Sequence, residues 1–312
     1  MSRTVGILSI GEMGLGIAQV LLFHGYRVMT NVSDRSQATQ ARAKAHDIDT
    51  VANDVELVEQ CDFILSIVPP RDALATAKRI KSAASQSGKT QKTQFLDLNA
   101  VSPTSSKATF ELFDGSTDVI LYDGIISGGV PHPIQDEHGN PTKWHCPTLL
   151  MSGPNRVSDA DLISAINIEH LSDKVGAAVA VKMCFGMVTK GYIALAIQSF
   201  TTAYRLGVLE DLEAFLAKYK PQHLKIAQEG LVRMPQTAYR WVHEMLEMAE
   251  TASEYGGFDK NLFEGVAESY RIVAEDSILG TELPDARVRG TTVEDVVKCL
   301  REGIDRKNTP TS

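Results

Sequence analysis

The 312-residue chain has no basic excess: 31 Lys and Arg against 39 Asp and Glu leave a formal charge of −8. A nucleic-acid surface needs a basic stripe, so nucleic acid is not the expected partner, although a local cluster can still hold one anionic ligand. Cysteine is scarce as well. Cys61, Cys146, Cys184 and Cys299 are scattered with no CxxC pair, which makes a reduced, cytoplasmic compartment the expectation. Cys61 and Cys184 sit in apolar surroundings and read as small core residues. A basic-then-apolar leader is missing ahead of the first strand-like segment, as are internal repeats and low-complexity tracts. Only residues 175–197, "VGAAVAVKMCFGMVTKGYIALAI", could be mistaken for a membrane span. They carry Lys182 and Lys190, each costly at a bilayer centre. Their many Gly and Ala suit a buried helix packed closely in a soluble protein, so no membrane is expected.

What is present is ordinary in amount, 43% hydrophobic and 22% charged residues, and informative in order. Short apolar runs at residues 4–10, 26–32, 62–68, 93–99, 118–126 and 148–153 read as strands. Helical patterns at 12–24, 37–46 and 73–85 fall between them. A further helix opens at Ser102, a capping residue followed by Pro103 at the first helical position. Strand–helix alternation with short links predicts an α/β fold, a doubly wound Rossmann-type parallel sheet. From Ser172 to Gly303 the pattern is helical throughout, broken at Pro221, Pro235, Gly256–Gly257 and Pro284. The expected organisation is a dinucleotide-binding domain over residues 1–172 and an all-α C-terminal domain over 173–312.

The stretch "ILSIGEMGLGIAQVL" follows the first strand and opens the first helix, the context that gives a glycine motif meaning. Ser9, Gly11 and Gly14 occupy the three glycine places of a dinucleotide fingerprint. Gly11 allows close approach of a pyrophosphate, Gly14 allows close helix–strand packing, and the backbone of Glu12 and Met13 opens the helix. Ser9 replaces the turn glycine at little cost provided its φ is negative. Gly16 reads as an additional helix-packing glycine. An NAD reader places Asp or Glu at the end of the second strand, and here that place holds Val32. The following Ser33, Arg35 and Ser36 form a hydroxyl–guanidinium–hydroxyl set suited to a 2′-phosphate, which points to NADP. Asp34 is the contrary signal, since it can reach a ribose hydroxyl.

The segments "VGILSIGEMG", "DLNAVSP", "DGIISGG" and "AAVAVKMCFGMVTKG", in that order, resemble the β-hydroxyacid dehydrogenase superfamily, which includes 6-phosphogluconate-dehydrogenase-like proteins and imine reductases. "MPQTAYRWVHEMLEMAETA" is similar to the small helical C-terminal domain of one subset of that group. The resemblance implies hydride transfer from NADP(H) and a homodimer formed through the helical domain. It also implies that Ser127, Gly128 and Gly129 anchor the substrate and that Lys182 is the catalytic lysine. The family's Asn one turn beyond that lysine is Gly186 here, which departs from the usual 3-hydroxyacid site.

The residues themselves fit such chemistry. Lys182 in an apolar helix can act as general acid in reduction or base in oxidation; the plain alternative is a lysine snorkelling to the helix end. Lys190, two turns on, is a candidate second cationic contact with the same alternative. Ser127 with Gly128 and Gly129 offers a hydroxyl and backbone N–H groups to a carboxylate. Val68 and Pro69, in "SIVPP", end a strand beside the expected cofactor. Asn99 either bonds a ribose or substrate or caps its own turn. Residues 130–147 contain His132, His138, His145 and Cys146 in no zinc spacing, so a hairpin-like excursion is expected and no metal. Tyr239 and His243 share a helix face that could close a partner's site. Trp241, Met245 and Met248 read as core. The expected function is an NADP-dependent oxidoreductase of a small carbonyl or hydroxy compound. An imine reductase, or a nucleotide-binding protein without catalysis, are the alternatives.

Overall fold

Alternating apolar side chains build the first half of the molecule. The structure, a computed structural model, describes residues 3–34, 37–282 and 287–308. Contacts divide the chain into units at residues 1–182 and 183–312, and the dividing point lies within one long helix.

The first unit alternates β1 (Thr4–Leu8), α1 (Glu12–Phe23), β2 (Arg27–Asn31), α2 (Gln37–Ala45), β3 (Asp49–Val51), α3 (Asp54–Gln60), β4 (Phe63–Ser66), α4 (Ala73–Gln86), β5 (Thr93–Asp97), α5 (Pro103–Leu112) and β6 (Val119–Ser127). A hairpin of β7 (His132–Gln135) and β8 (Pro141–His145) follows, then β9 (Thr148–Ser152), α6 (Ala160–Ala165) and β10 (Ile168–Ser172). Eight strands form one sheet in the order β10-β9-β6-β5-β4-β1-β2-β3. All neighbours are parallel except β6 with β9. The order reverses at β1, which pairs with β2 on one side and β4 on the other. That reversal opens a crevice at the carboxyl ends of the strands.

The period-two pattern of the strands sorts side chains to two faces. Val5, Ile7, Phe63, Leu65 and Leu96 join a core with Ile17, Val20 and Leu21 of α1. Leu8, Ile64 and Phe95 join the opposite core with Leu57 of α3 and Ile80 of α4. Ser102 caps α5, accepting from the Ser105 N–H at 3.2 Å, with Pro103 behind it as expected.

Strands β3 and β10 and helices α3 and α6 lie outside the strand and helix segments read from the sequence. Strand β3 is three residues with two exposed, too short to show alternation. Helix α3 is capped by Asn53, whose side chain accepts from the Glu56 N–H at 2.9 Å, while the Glu56 carboxylate accepts from Ala52 N–H at 2.9 Å. That reciprocal cap is a readable signal. Strand β10 alternates buried and open residues at the sheet edge, just ahead of the segment read as helical from Ser172.

The remaining elements are helical: α7 (Ala177–Leu206), α8 (Leu209–Tyr219), α9 (Pro221–Arg233), α10 (Ala238–Gly256), α11 (Asn261–Arg271) and α12 (Val293–Asn308). Met245, Met248, Ala227, Leu231, Tyr270, Val296 and Leu300 are all buried in the second unit, and Trp241 packs edge-on against Tyr270 with ring centroids 5.1 Å apart. Helix α7 is, among the described residues, the one helix long and apolar enough to cross a membrane. It is not enclosed all round as a buried helix would be: Val181, Phe185, Val188 and Leu195 are exposed. Cys184 shares that outward position, whereas Cys61 is buried as expected.

Candidate active site

The glycine loop joins β1 to α1 at the crevice. Gly11 is the N-cap of α1 in extended conformation, with no side-chain cap. A Cβ at Gly11 would meet nothing nearer than the Ser9 hydroxyl at 3.9 Å, so a phosphate group can approach the helix N-terminus there. A Cβ at Gly14 would collide with the Ser9 carbonyl oxygen, and one at Gly16 would lie 2.7 Å from Pro131 Cδ. Both glycines therefore pack, as expected. Ser9 does not meet the condition set for it: its φ is +80°, the left-handed region that favours glycine. Arg42 on α2, unremarked in the sequence, donates to the Ile10 carbonyl at 2.9 Å and steadies the loop.

At the end of β2, Val32 is buried. Asn31 organises the turn after it, accepting from Ser33 N–H at 3.1 Å and from the Ser33 hydroxyl at 2.8 Å. The Asn31 amide donates to Asp54 at 2.6 Å. Arg79 on α4 forks onto the same carboxylate at 2.9 and 3.1 Å and stands 3.5 Å from Asp34. Arg35 and Ser36 lie outside the described residues.

The Ser66–Pro70 turn is tied to the next strand by Asn99. Its side-chain oxygen accepts from Val68 N–H at 2.7 Å, and its amide donates to Ser66 Oγ at 2.9 Å and Asp97 at 2.5 Å. Asn99 is 2% exposed, and its side chain joins its own turn, through Asp97, to the turn after β4. Val68 is buried and Pro69 exposed. Beneath them Asp97 is buried; burial outweighs the Asn99 hydrogen bonds and, with Asp123 nearby, pushes its carboxyl up to about 7.

Lys182 extends from α7 to the end of β6, where its ammonium donates to the Ile126 carbonyl at 2.6 Å. The next residues are Ser127, half-buried, and the exposed Gly128 and Gly129. Gly128 has φ +135°, a turn that a side chain would strain. The structure thus brings the lysine onto Ile126, 56 residues away in sequence, beside the Ser-Gly-Gly segment. Strand spacing puts β6 three positions from β1, roughly 14 Å. A dinucleotide held at Gly11 can lie along the sheet edge toward Ser127, so the residues present fit such a cofactor.

Lys190 is placed differently. Its ammonium is paired with Glu244 and stands 4.9 Å from the Trp241 ring centroid, while its carbonyl accepts from the Tyr270 hydroxyl at 2.5 Å. Its charge is paired inside the helical unit, in the middle of α7 and not snorkelling to a helix end. A Cβ at Gly186 would run into the Met248 side chain, so the thioether fills the space a side chain would need there. Tyr239 and His243 are both exposed on α10. The hairpin expected between residues 130 and 147 is present and pairs His132 with His145, rings 4.9 Å apart. Among the described residues no group of three or more His, Cys, Asp or Glu gathers to hold a metal.

Comparison with known proteins agrees with this architecture. Residues 4–90 match the family model described as NADP oxidoreductase, coenzyme F420-dependent, and residues 203–273 match the domain of unknown function DUF1932. L-threonate dehydrogenase of Cupriavidus necator is 26% identical over 219 residues, 68% of this chain and 68% of that protein. A conserved hypothetical protein of Sinorhizobium meliloti 1021 is similar in structure with a TM-score of 0.65 at 22% identity, covering 97% of each chain. The 3-hydroxyisobutyrate dehydrogenase of Mycobacterium tuberculosis, solved with L-serine, gives 0.62 at 19% identity over 96% of this chain and 100% of that one.

Proposed function

We propose, for a chain that has the 3-hydroxyacid dehydrogenase fold and joins a Rossmann unit of the NADP-oxidoreductase type to a DUF1932 segment, that it is an NADP-dependent oxidoreductase of small hydroxy or carbonyl acids with Lys182 as its general acid and base. The observation that carries this reading is the Lys182 ammonium on the Ile126 carbonyl at 2.6 Å, next to Ser127 on the sheet that bears the glycine loop. The nicotinamide supplies or accepts the hydride. Gly11 and the first turn of α1 would hold the pyrophosphate, and Val68 and Pro69 would flank the cofactor from the end of β4. The Ser127 hydroxyl and the N–H groups of Gly128 and Gly129 receive the substrate carboxylate. In reduction the Lys182 ammonium would give its proton to the substrate's carbonyl oxygen, and in oxidation the neutral amine would take the hydroxyl proton. The names L-threonate dehydrogenase and 3-hydroxyisobutyrate dehydrogenase both denote oxidation of a hydroxy acid, which supports this substrate class. Retention of Lys182 favours carbonyl and hydroxyl chemistry over imine reduction.

NADP rather than NAD is favoured by Val32, which cannot accept a ribose hydroxyl. The Arg79 guanidinium beside Asp34 partly neutralises the one acid that could. Arg35, with Ser33 and Ser36, is the proposed phosphate contact. The same reading makes the protein a homodimer through its helical unit, where Leu195, Leu206 and Phe215 expose apolar surface around a 750 Å³ groove. Thermal shift with NADPH and NADH tests the cofactor. A larger shift with NADPH, lost selectively in Arg35→Ala, is expected; equal shifts with both nucleotides, or none with either, overturn the assignment.

A further inference from the structure

Strand β6 carries one carboxylate in an apolar run, "VILYDGIIS". Asp123 is 4% exposed, and a buried carboxylate is tolerated only when its oxygens are bonded. One oxygen accepts from the Ser106 hydroxyl of α5 at 2.5 Å. The other accepts from the Ser152 hydroxyl of β9 at 2.6 Å and from the Gly176 N–H at 2.7 Å. Ser152 Oγ in turn accepts from the Ala178 N–H at 3.0 Å. Gly176 immediately precedes α7 with φ +81°, and its missing Cβ would stand 3.3 Å from the Pro103 carbonyl. At the start of α7 the Ala177 N–H is satisfied locally by the Lys174 carbonyl at 3.2 Å, whereas the N–H groups of Gly176 and Ala178 on either side of it are satisfied by side chains of two distant strands, Asp123 of β6 and Ser152 of β9.

The same strand grips the same helix a second time, through the Ile126 carbonyl on Lys182. The two grips are in step. From Gly176 to Lys182 a helix rises about 9 Å, and from Asp123 to Ile126 a strand advances about 10 Å. We infer that Asp123, acting with Ser152, is a positioning residue that sets where the Lys182 ammonium stands against Ser127, Gly128 and Gly129. This rests on the reading of Lys182 as the acid–base group, yet it concerns the place of that amine and can be measured without turnover.

The test is the rate at which an amine-reactive reagent labels Lys182 in the intact protein, read by mass spectrometry, together with NADPH affinity. In Asp123→Asn and in Ser152→Ala labelling should rise about fivefold, the effect of one lost helix cap on a local equilibrium. Nucleotide affinity should stay unchanged. Ser152→Thr, which keeps the hydroxyl, should restore the native rate, an outcome that loss of general stability does not produce. If Asp123→Asn does not fold, Ser152→Ala and Ser152→Thr carry the test alone. A folded variant that labels at the native rate overturns the inference. Native turnover by Lys182→Ala would instead overturn the catalytic reading and leave the positioning result standing.

Discussion

At Ser9 the chain accepts a backbone angle that its own side chain opposes. With φ at +80°, the serine carries a cost of about 1 kcal/mol that glycine would not. Ser9→Gly is therefore expected to raise unfolding free energy by about that amount in denaturant titration; a loss of stability would contradict the left-handed assignment. The residue type at this position was plain in the sequence, but its φ was not, because the angle follows from how Gly14 packs on the Ser9 carbonyl. Lys190 and Asn99 teach the same lesson. Each was legible as a polar group of the right kind. Nothing local reveals that Glu244, 54 residues away, holds the first, or that the second accepts from Val68 N–H, 31 residues away. Lys182 differs because its partner is a backbone carbonyl beside a motif already recognisable.

Among the elements, β5 and β6 place Asp97 and Asp123 opposite each other in register, both buried. Asp97, raised to about 7, binds its proton more tightly folded than unfolded, where a carboxyl titrates near about 3.9. Folding stability therefore falls as pH rises through that window and levels off above the folded pKa. Asp97→Asn removes the slope. The unfolding free energy of the native protein minus that of the variant should become more negative from about pH 4 to about pH 7 and stay level beyond. A difference that stays flat across the window would show that Asp97 is not held protonated. The strong periodic elements, β1, α1, β4, α4 and β6, were legible because their alternation or capping is written locally. Strand β3 was not, since Asp49 and Thr50 face solvent, nor β10, whose register is set by β9.

The whole molecule combines a sheet whose order reverses at β1, a glycine loop at that reversal, and a lysine returned to the sheet edge by the first turns of α7. Sequence order alone indicated the α/β-then-helical plan; the gathering of Lys182, Ile126 and Ser127 came from the crossing of α7 over β6. Hydride chemistry at that edge is the central claim. Its most direct test follows NADPH oxidation with small carbonyl acids and NADP reduction with hydroxy acids, comparing the native protein with Lys182→Ala at matched nucleotide saturation. The native protein is expected to turn over at least one of these acids, and Lys182→Ala to do so at least about 100-fold more slowly with NADPH affinity unchanged. Turnover by Lys182→Ala at the native rate would contradict it.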